Sequence, residues 1–131
     1  PRSTPSNSSA ASDVYKRQIK GEYSRVSFLL DQAGKNLMEF GKVIYEKKSS
    51  LESLQDFSET IFQLEELITT NEFLGDYEPM VVYQMGYKIE KLHHLAATLT
   101  SLLADQEFER ARLYLRILLT ELEELRSLVL E

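Results

Sequence analysis

The sequence predicts an all-α protein, an antiparallel four-helix bundle made of two similar helical hairpins. Three observations lead there. Apolar residues recur at alternating three- and four-residue spacing in four long segments. Turn and capping residues interrupt that pattern between segments. The second half then repeats the first at a nearly constant offset.

The first helix, about residues 20–48, carries Tyr23, Val26, Leu30, Ala33, Leu37, Phe40 and Ile44 on one seam. Lys47 and Lys48 place positive charge near its C-terminus, where the helix dipole favours it. Ser49 followed by Glu52 reads as a capping box opening a second helix, about 50–71, with Leu51, Leu54, Phe57, Ile61, Leu64, Leu67 and Ile68 inside. The stretch Thr69–Pro79 breaks the pattern. Gly75 suits a left-handed turn, Asp76 a cap, and Pro79 the first turn of a third helix. Phe73, Leu74 and Tyr77 are expected to fold back over the end of the bundle. The third helix, about 79–104, repeats the seam with Val82, Met85, Ile89, Leu92, Ala96, Leu99 and Leu103. Asp105 is expected to cap a fourth, about 106–130, with Phe108, Ala111, Leu115, Leu118, Leu122, Leu125 and Val129 inside. So short a connection forces the last two helices antiparallel.

All seven seam positions of the first helix map onto the third at an offset of 59. The second maps onto the fourth at 58, pairing Phe57 with Leu115, Ile61 with Leu119, Leu64 with Leu122 and Leu67 with Leu125. QLEEL at 63–67 nearly returns as ELEEL at 121–125. A duplicated hairpin explains this self-similarity.

Residues 1–18 differ from the rest. They hold two of the chain's three prolines and no Leu, Ile, Phe or Met. Such a composition cannot bury enough surface to offset ordering entropy, so a disordered leader is expected ahead of a single bundle domain at 19–131. Within it, SSAASDVYKRQ resembles translated sequencing-adaptor read-through. The resemblance implies a non-native leader, with no functional meaning in Tyr15, Lys16 or Arg17.

The chain's net charge of −6 conceals an asymmetry. Residues 1–20 hold Arg2, Lys16, Arg17 and Lys20 against Asp13, which leaves −9 on residues 21–131. A body this acidic lacks the basic patch that neutralises phosphates, so neither nucleic acid nor an anionic membrane surface is an expected partner. No apolar run reaches the ~18–20 residues of a membrane span. The absence of cysteine excludes disulfide frameworks and thiolate chemistry and suits a reducing cytoplasm. An interacting protein, or a second copy of the chain, is the expected partner.

His93 and His94 are the only histidines. Glu90 and His93 form a Glu-x-x-His, the unit di-iron bundles use twice on inward-facing positions. Here it occurs once and turns away from the seam, so neither metal nor another cofactor is expected. His93-His94-Leu95-Ala96-Ala97 resembles the His-x-Leu-Lys-Gly of histidine phosphotransfer domains, which are also four-helix bundles. That resemblance implies a phosphoacceptor at His93, although Ala96 and Ala97 replace the lysine and glycine. Glu121, Glu123 and Glu124 read as a solvated face. No other arrangement suits catalysis, and the chain is not expected to be an enzyme.

The position next to the seam reads Ser27, Gly34 and Gly41 on the first helix, and Gly86, His93 and Thr100 at the equivalent places on the third. A mid-helix glycine costs roughly 0.5–1 kcal/mol relative to alanine, so these need a compensating role. Close helix approach is one. A shallow groove accepting a partner's helix is the other, with Ser27, Gly34, Gly41, Gly86 and His93 as its binding residues. The duplicated hairpin with its Leu-Glu-Glu-Leu segment resembles small uncharacterised acidic bacterial proteins, some encoded near flagellar or secretion genes, and in size and charge it is similar to helical export chaperones. The resemblance implies a non-enzymatic adaptor- or chaperone-like binding role.

Overall fold

In a computed structural model, the chain is described from residue 10 to residue 130, with side chains from Gly21 onward apart from Glu22, Asn71 and Glu72. Its elements are α1 (Ala10–Tyr45), α2 (Glu52–Ile68), the single turn α3 (Asn71–Leu74), α4 (Pro79–Ala104) and α5 (Phe108–Leu130). The long helices form an antiparallel four-helix bundle. Each hairpin packs on itself, α1 on α5 and α2 on α4 close the ring, and α1 and α4 lie on one diagonal.

The core follows the apolar spacing. Val26, Leu30, Ala33, Leu37, Phe40 and Ile44 are buried, as are their counterparts Met85, Ile89, Leu92, Ala96, Leu99 and Leu103. In the second pair of helices the match is looser. Phe57 and Leu115 are both buried, as are Leu64 and Leu122. Leu119 and Leu67, however, are only half-buried where Ile61 and Leu125 are buried, so the two helices differ by a small rotation. One polar pair interrupts the α1–α2 seam. There the buried Asn36 amide donates to the Thr60 hydroxyl at 3.2 Å.

Both hairpins turn through the same device. The Lys47 N–H bonds the Ile44 carbonyl and the Lys48 N–H the Val43 carbonyl; 59 residues on, Gln106 bonds Leu103 and Glu107 bonds Leu102. These are Schellman closures. Each puts a non-glycine residue in the left-handed region, Lys47 at φ 55° and Gln106 at φ 56°.

Local capping differs from expectation. Lys47 and Lys48 are consumed in closing α1 and residues 49–51 cross to the next helix. Leu51 is therefore the N-cap of α2, without a side-chain hydrogen bond, and Ser49 with Glu52 forms no capping box. Asp105 closes α4 as its C-cap rather than opening α5. Pro79 does start α4, but the N-cap is the extended Glu78, not Asp76. Gly75 is not left-handed, since no glycine among the described residues has a positive φ.

The α2–α4 connection covers the bundle end as its sequence suggests. Phe73 is fully buried and Tyr77 nearly so, and both rings stack with Tyr23 at 5.3 and 6.3 Å between centroids. A hydroxyl carries one proton. Tyr77 therefore donates to the Val129 carbonyl at 2.6 Å and accepts from Tyr23 at 2.5 Å, tying α1, the connection and α5 together.

Helix α1 begins nine residues inside the leader expected to lack structure. Once a helix exists, each added residue gains a bond for the backbone it fixes, and Ala10, Ala11, Lys16, Arg17 and Gln18 are good helix formers. Propensity therefore extends the helix where composition cannot build a core. The rest of that leader, residues 1–9, lies outside the described residues.

Candidate functional site

The residues singled out beforehand do not line one groove. Gly41 borders α5, where an added Cβ would lie 3.4 Å from Leu115 Cδ2, an ordinary contact. A Cβ at Gly34 or Gly86 would meet no atom within 4 Å, so neither glycine is required by close approach. Ser27 is half-buried and shares the heptad position of Gly34 and Gly41. His93 instead points across the other seam: its Nε2 lies 3.2 Å from Glu65 Oε1 of α2, and its ring centroid 4.4 Å from that of Phe62. Because α1 and α4 are diagonal, the two halves of the stripe face different neighbours. The α1–α5 seam, which Gly41 borders, is packed more extensively than the α2–α4 seam, which holds His93.

His94 and Glu90 are exposed. Among the described residues no cluster of three or more His, Asp or Glu side chains is placed to hold a metal ion.

A different surface stands out. Helix α4 carries a second apolar stripe, Met80, Tyr83 and Tyr87, spaced i, i+3, i+7 and facing away from the core, with 64 %, 72 % and 56 % of each residue exposed. At roughly 150–250 Å² for each large side chain, the three together present about 290–480 Å² to solvent. That is the size of the largest patch on a typical monomer, and such patches are often functional. Beside the stripe, between α4 and α5, runs an open groove of about 520 Å³ lined by Gln84, Tyr87, Lys88, Glu124, Ser127 and Leu128.

The groove is held in place by charge. Lys88 donates to Glu121 at 2.8 Å and to Glu124, while Lys91 reaches Glu121 at 3.3 Å and lies 5.9 Å from the Tyr87 ring centroid. Glu121 is therefore buried, contrary to the solvated face expected for it. It sits beside Leu122 at the seam edge, and two lysines on the facing helix complete its hydrogen bonding. Burial alone would raise its carboxyl, but bonds from Lys88 and Lys91 outweigh burial and hold the group below its ordinary value. Hydrogen bonds to Glu121 and Glu124 hold the Lys88 ammonium above its own. The result is a partly apolar trough whose charges are already paired.

Sequence reasoning followed the buried seam of α4 and passed over this stripe. The signal was present: Met80, Tyr83 and Tyr87 keep helical spacing out of phase with Val82, Met85 and Ile89, so the helix is apolar on two faces. The cluster around Glu121 had no such signal, because its partners lie 30 and 33 residues away.

No family model matches the chain, and neither does any curated protein or solved structure.

Proposed function

We propose that this chain is a non-catalytic protein-interaction module, an adaptor or chaperone-like bundle that docks a partner's helix along the outer face of α4 and α5. The observation that carries this is the Met80–Tyr83–Tyr87 stripe, an exposed apolar face on a helix whose opposite face already fills the core. A groove running parallel to two helices accepts a third element of the same shape. Self-association has less support, because about 290–480 Å² falls well below the ~800 Å² per partner of a standard interface. Phosphotransfer at His93 also has less support, since a carboxylate sits on Nε2 and the Phe62 ring lies against the imidazole. An acidic, cysteine-free chain fits the cytoplasm, and no helix among the described residues is long and apolar enough to cross a membrane.

The test compares the full chain with a Tyr83→Ser/Tyr87→Ser variant as baits in its native lysate. Both side chains are exposed, so the variant keeps its helical circular dichroism and melting temperature. Partners retained by the parent should be lost from the variant. Identical captures from both would refute the docking face.

A further inference from the structure

Four antiparallel helices joined by short turns can close into a ring in either sense, clockwise or anticlockwise from one end, with the same neighbours in both. The apolar seams do not choose between the two. Leu37, Leu64, Leu92 and Leu122 are buried toward the bundle axis either way, and the two hairpins repeat one spacing and one turn. What the sense changes is the flank that each helix turns to each neighbour. Here α1 shows α2 the flank of Asn36 and shows α5 the flank of Gly41. The reverse ring exchanges these flanks, and exchanges those of the other three helices as well.

We infer that two buried polar links, one across each hairpin, fix the sense in which the ring closes. Across α1–α2 the Asn36 amide donates to the Thr60 hydroxyl at 3.2 Å, and that hydroxyl donates to the Asp56 carbonyl at 2.8 Å. Across α4–α5 the buried Glu121 accepts from Lys88 at 2.8 Å and from Lys91 at 3.3 Å. Neither link survives reversal. The Arg126–Asp31 bond sets α5 against α1 so that Glu121 lies level with Asn36. In the reverse ring those two flanks would meet, giving Glu121 one amide in place of two ammonium groups and taking Asn36 from Thr60. The His93–Glu65 contact likewise sets Lys91 level with Leu67. Both lysines would then turn from Glu121 to the flank of Thr60 and Leu67. A buried charge stripped of its partner is far costlier than a pair replaced by apolar groups, and a single buried polar residue can select one packing among several. The groove of Gln84, Tyr87, Lys88, Glu124, Ser127 and Leu128 also needs the observed sense, because only there do those flanks of α4 and α5 face each other. That holds whatever docks in it.

The experiment replaces both links by leucine, Asn36→Leu with Thr60→Leu and Lys88→Leu with Glu121→Leu, and reads the sense of the full chain by crosslinking. The chain holds no cysteine, so an introduced pair carries the only thiols. Asp31→Cys with Arg126→Cys spans α1–α5 in the observed ring, where the native side chains meet at 2.7 Å. Met38→Cys with Ser58→Cys, in a separate chain, reports the reverse ring. Those positions lie two residues beyond Asn36 and two before Thr60, hence level with each other. Met38, however, shares the α5-facing flank of Asp31, and Ser58 shares the α4-facing flank of Phe62 and Glu65. With a short bismaleimide, the parent should join 31 to 126 and leave 38 and 58 apart. In the four-leucine variant the 31–126 yield should fall and the monomeric 38–58 product should rise about tenfold or more, since apolar replacement of both links keeps the bundle folded. Each two-leucine variant keeps one link and should show a smaller 38–58 product. Parental yields for both cysteine pairs in a folded four-leucine variant overturn the inference. Should that variant lose its helical circular dichroism, the two-leucine variants decide: a 38–58 product in either supports the inference, and none in both overturns it.

Discussion

Lys47→Gly and Gln106→Gly should each stabilise the protein, against the usual cost of placing glycine near a helix. The decision lies in the backbone. Both residues are left-handed, at φ 55° and 56°, where a Cβ costs roughly 1–2 kcal/mol. Glycine removes that strain but adds about 0.5–1 kcal/mol of unfolded-state entropy. The net gain is therefore about 0.5–1 kcal/mol per site. Lys47→Gly should fall at the lower end, since it also removes a cation from a helix C-terminus, worth a few tenths of a kcal/mol. The sites end diagonal helices and share no partner, so the gains should add to about 1–2 kcal/mol. For a domain of this size that raises the melting temperature by roughly 4–8 °C. Urea unfolding followed by circular dichroism checks it, with Lys47→Ala and Gln106→Ala as controls that keep the Cβ and should change little. A glycine variant less stable than its alanine control at either site would refute the left-handed closure there.

Two further outcomes follow from the buried polar contacts. Tyr77→Phe deprives the Val129 carbonyl and the Tyr23 hydroxyl of their shared partner; it should cost about 1–3 kcal/mol in urea unfolding, with the larger Tyr77→Ala loss separating ring packing from hydroxyl. Glu121 is held below its ordinary value of 4.5, so its stabilising contribution is present above that value and lost as pH falls through the lower folded value. Unfolding midpoints measured from pH 6 to pH 3 should therefore fall more steeply in the parent than in Glu121→Gln, and equal slopes would remove Glu121 as a source of acid sensitivity.

How far each feature could be read from the sequence depended on the range of the interaction behind it. Leu92 and Leu99 were identifiable as core because helical spacing is a local property, and their burial follows whatever element lies opposite. The fold-back of Phe73 and Tyr77 was legible for a similar reason, as apolar residues in a linker have only the bundle end to cover. Ser49 and Asp105 misled because capping depends on where the preceding helix stops. The Schellman turns at Lys47 and Gln106 set that point, although neither residue advertises a left-handed conformation. The paired small residues were visible as a pattern, but their neighbours were not.

By itself the sequence determined the number of long helices, their order, the phase of each buried seam and the likeness of the two hairpins, because a 3.6-residue period is written along one chain. Only the tertiary structure decided which helices are neighbours and which are diagonal. That choice sends Gly41 toward α5 and His93 toward Glu65, brings Lys88 and Lys91 onto Glu121, and leaves Met80, Tyr83 and Tyr87 uncovered. Contacts across a bundle depend on how each helix is rotated and beside which partner it stands, and spacing along one helix carries neither quantity.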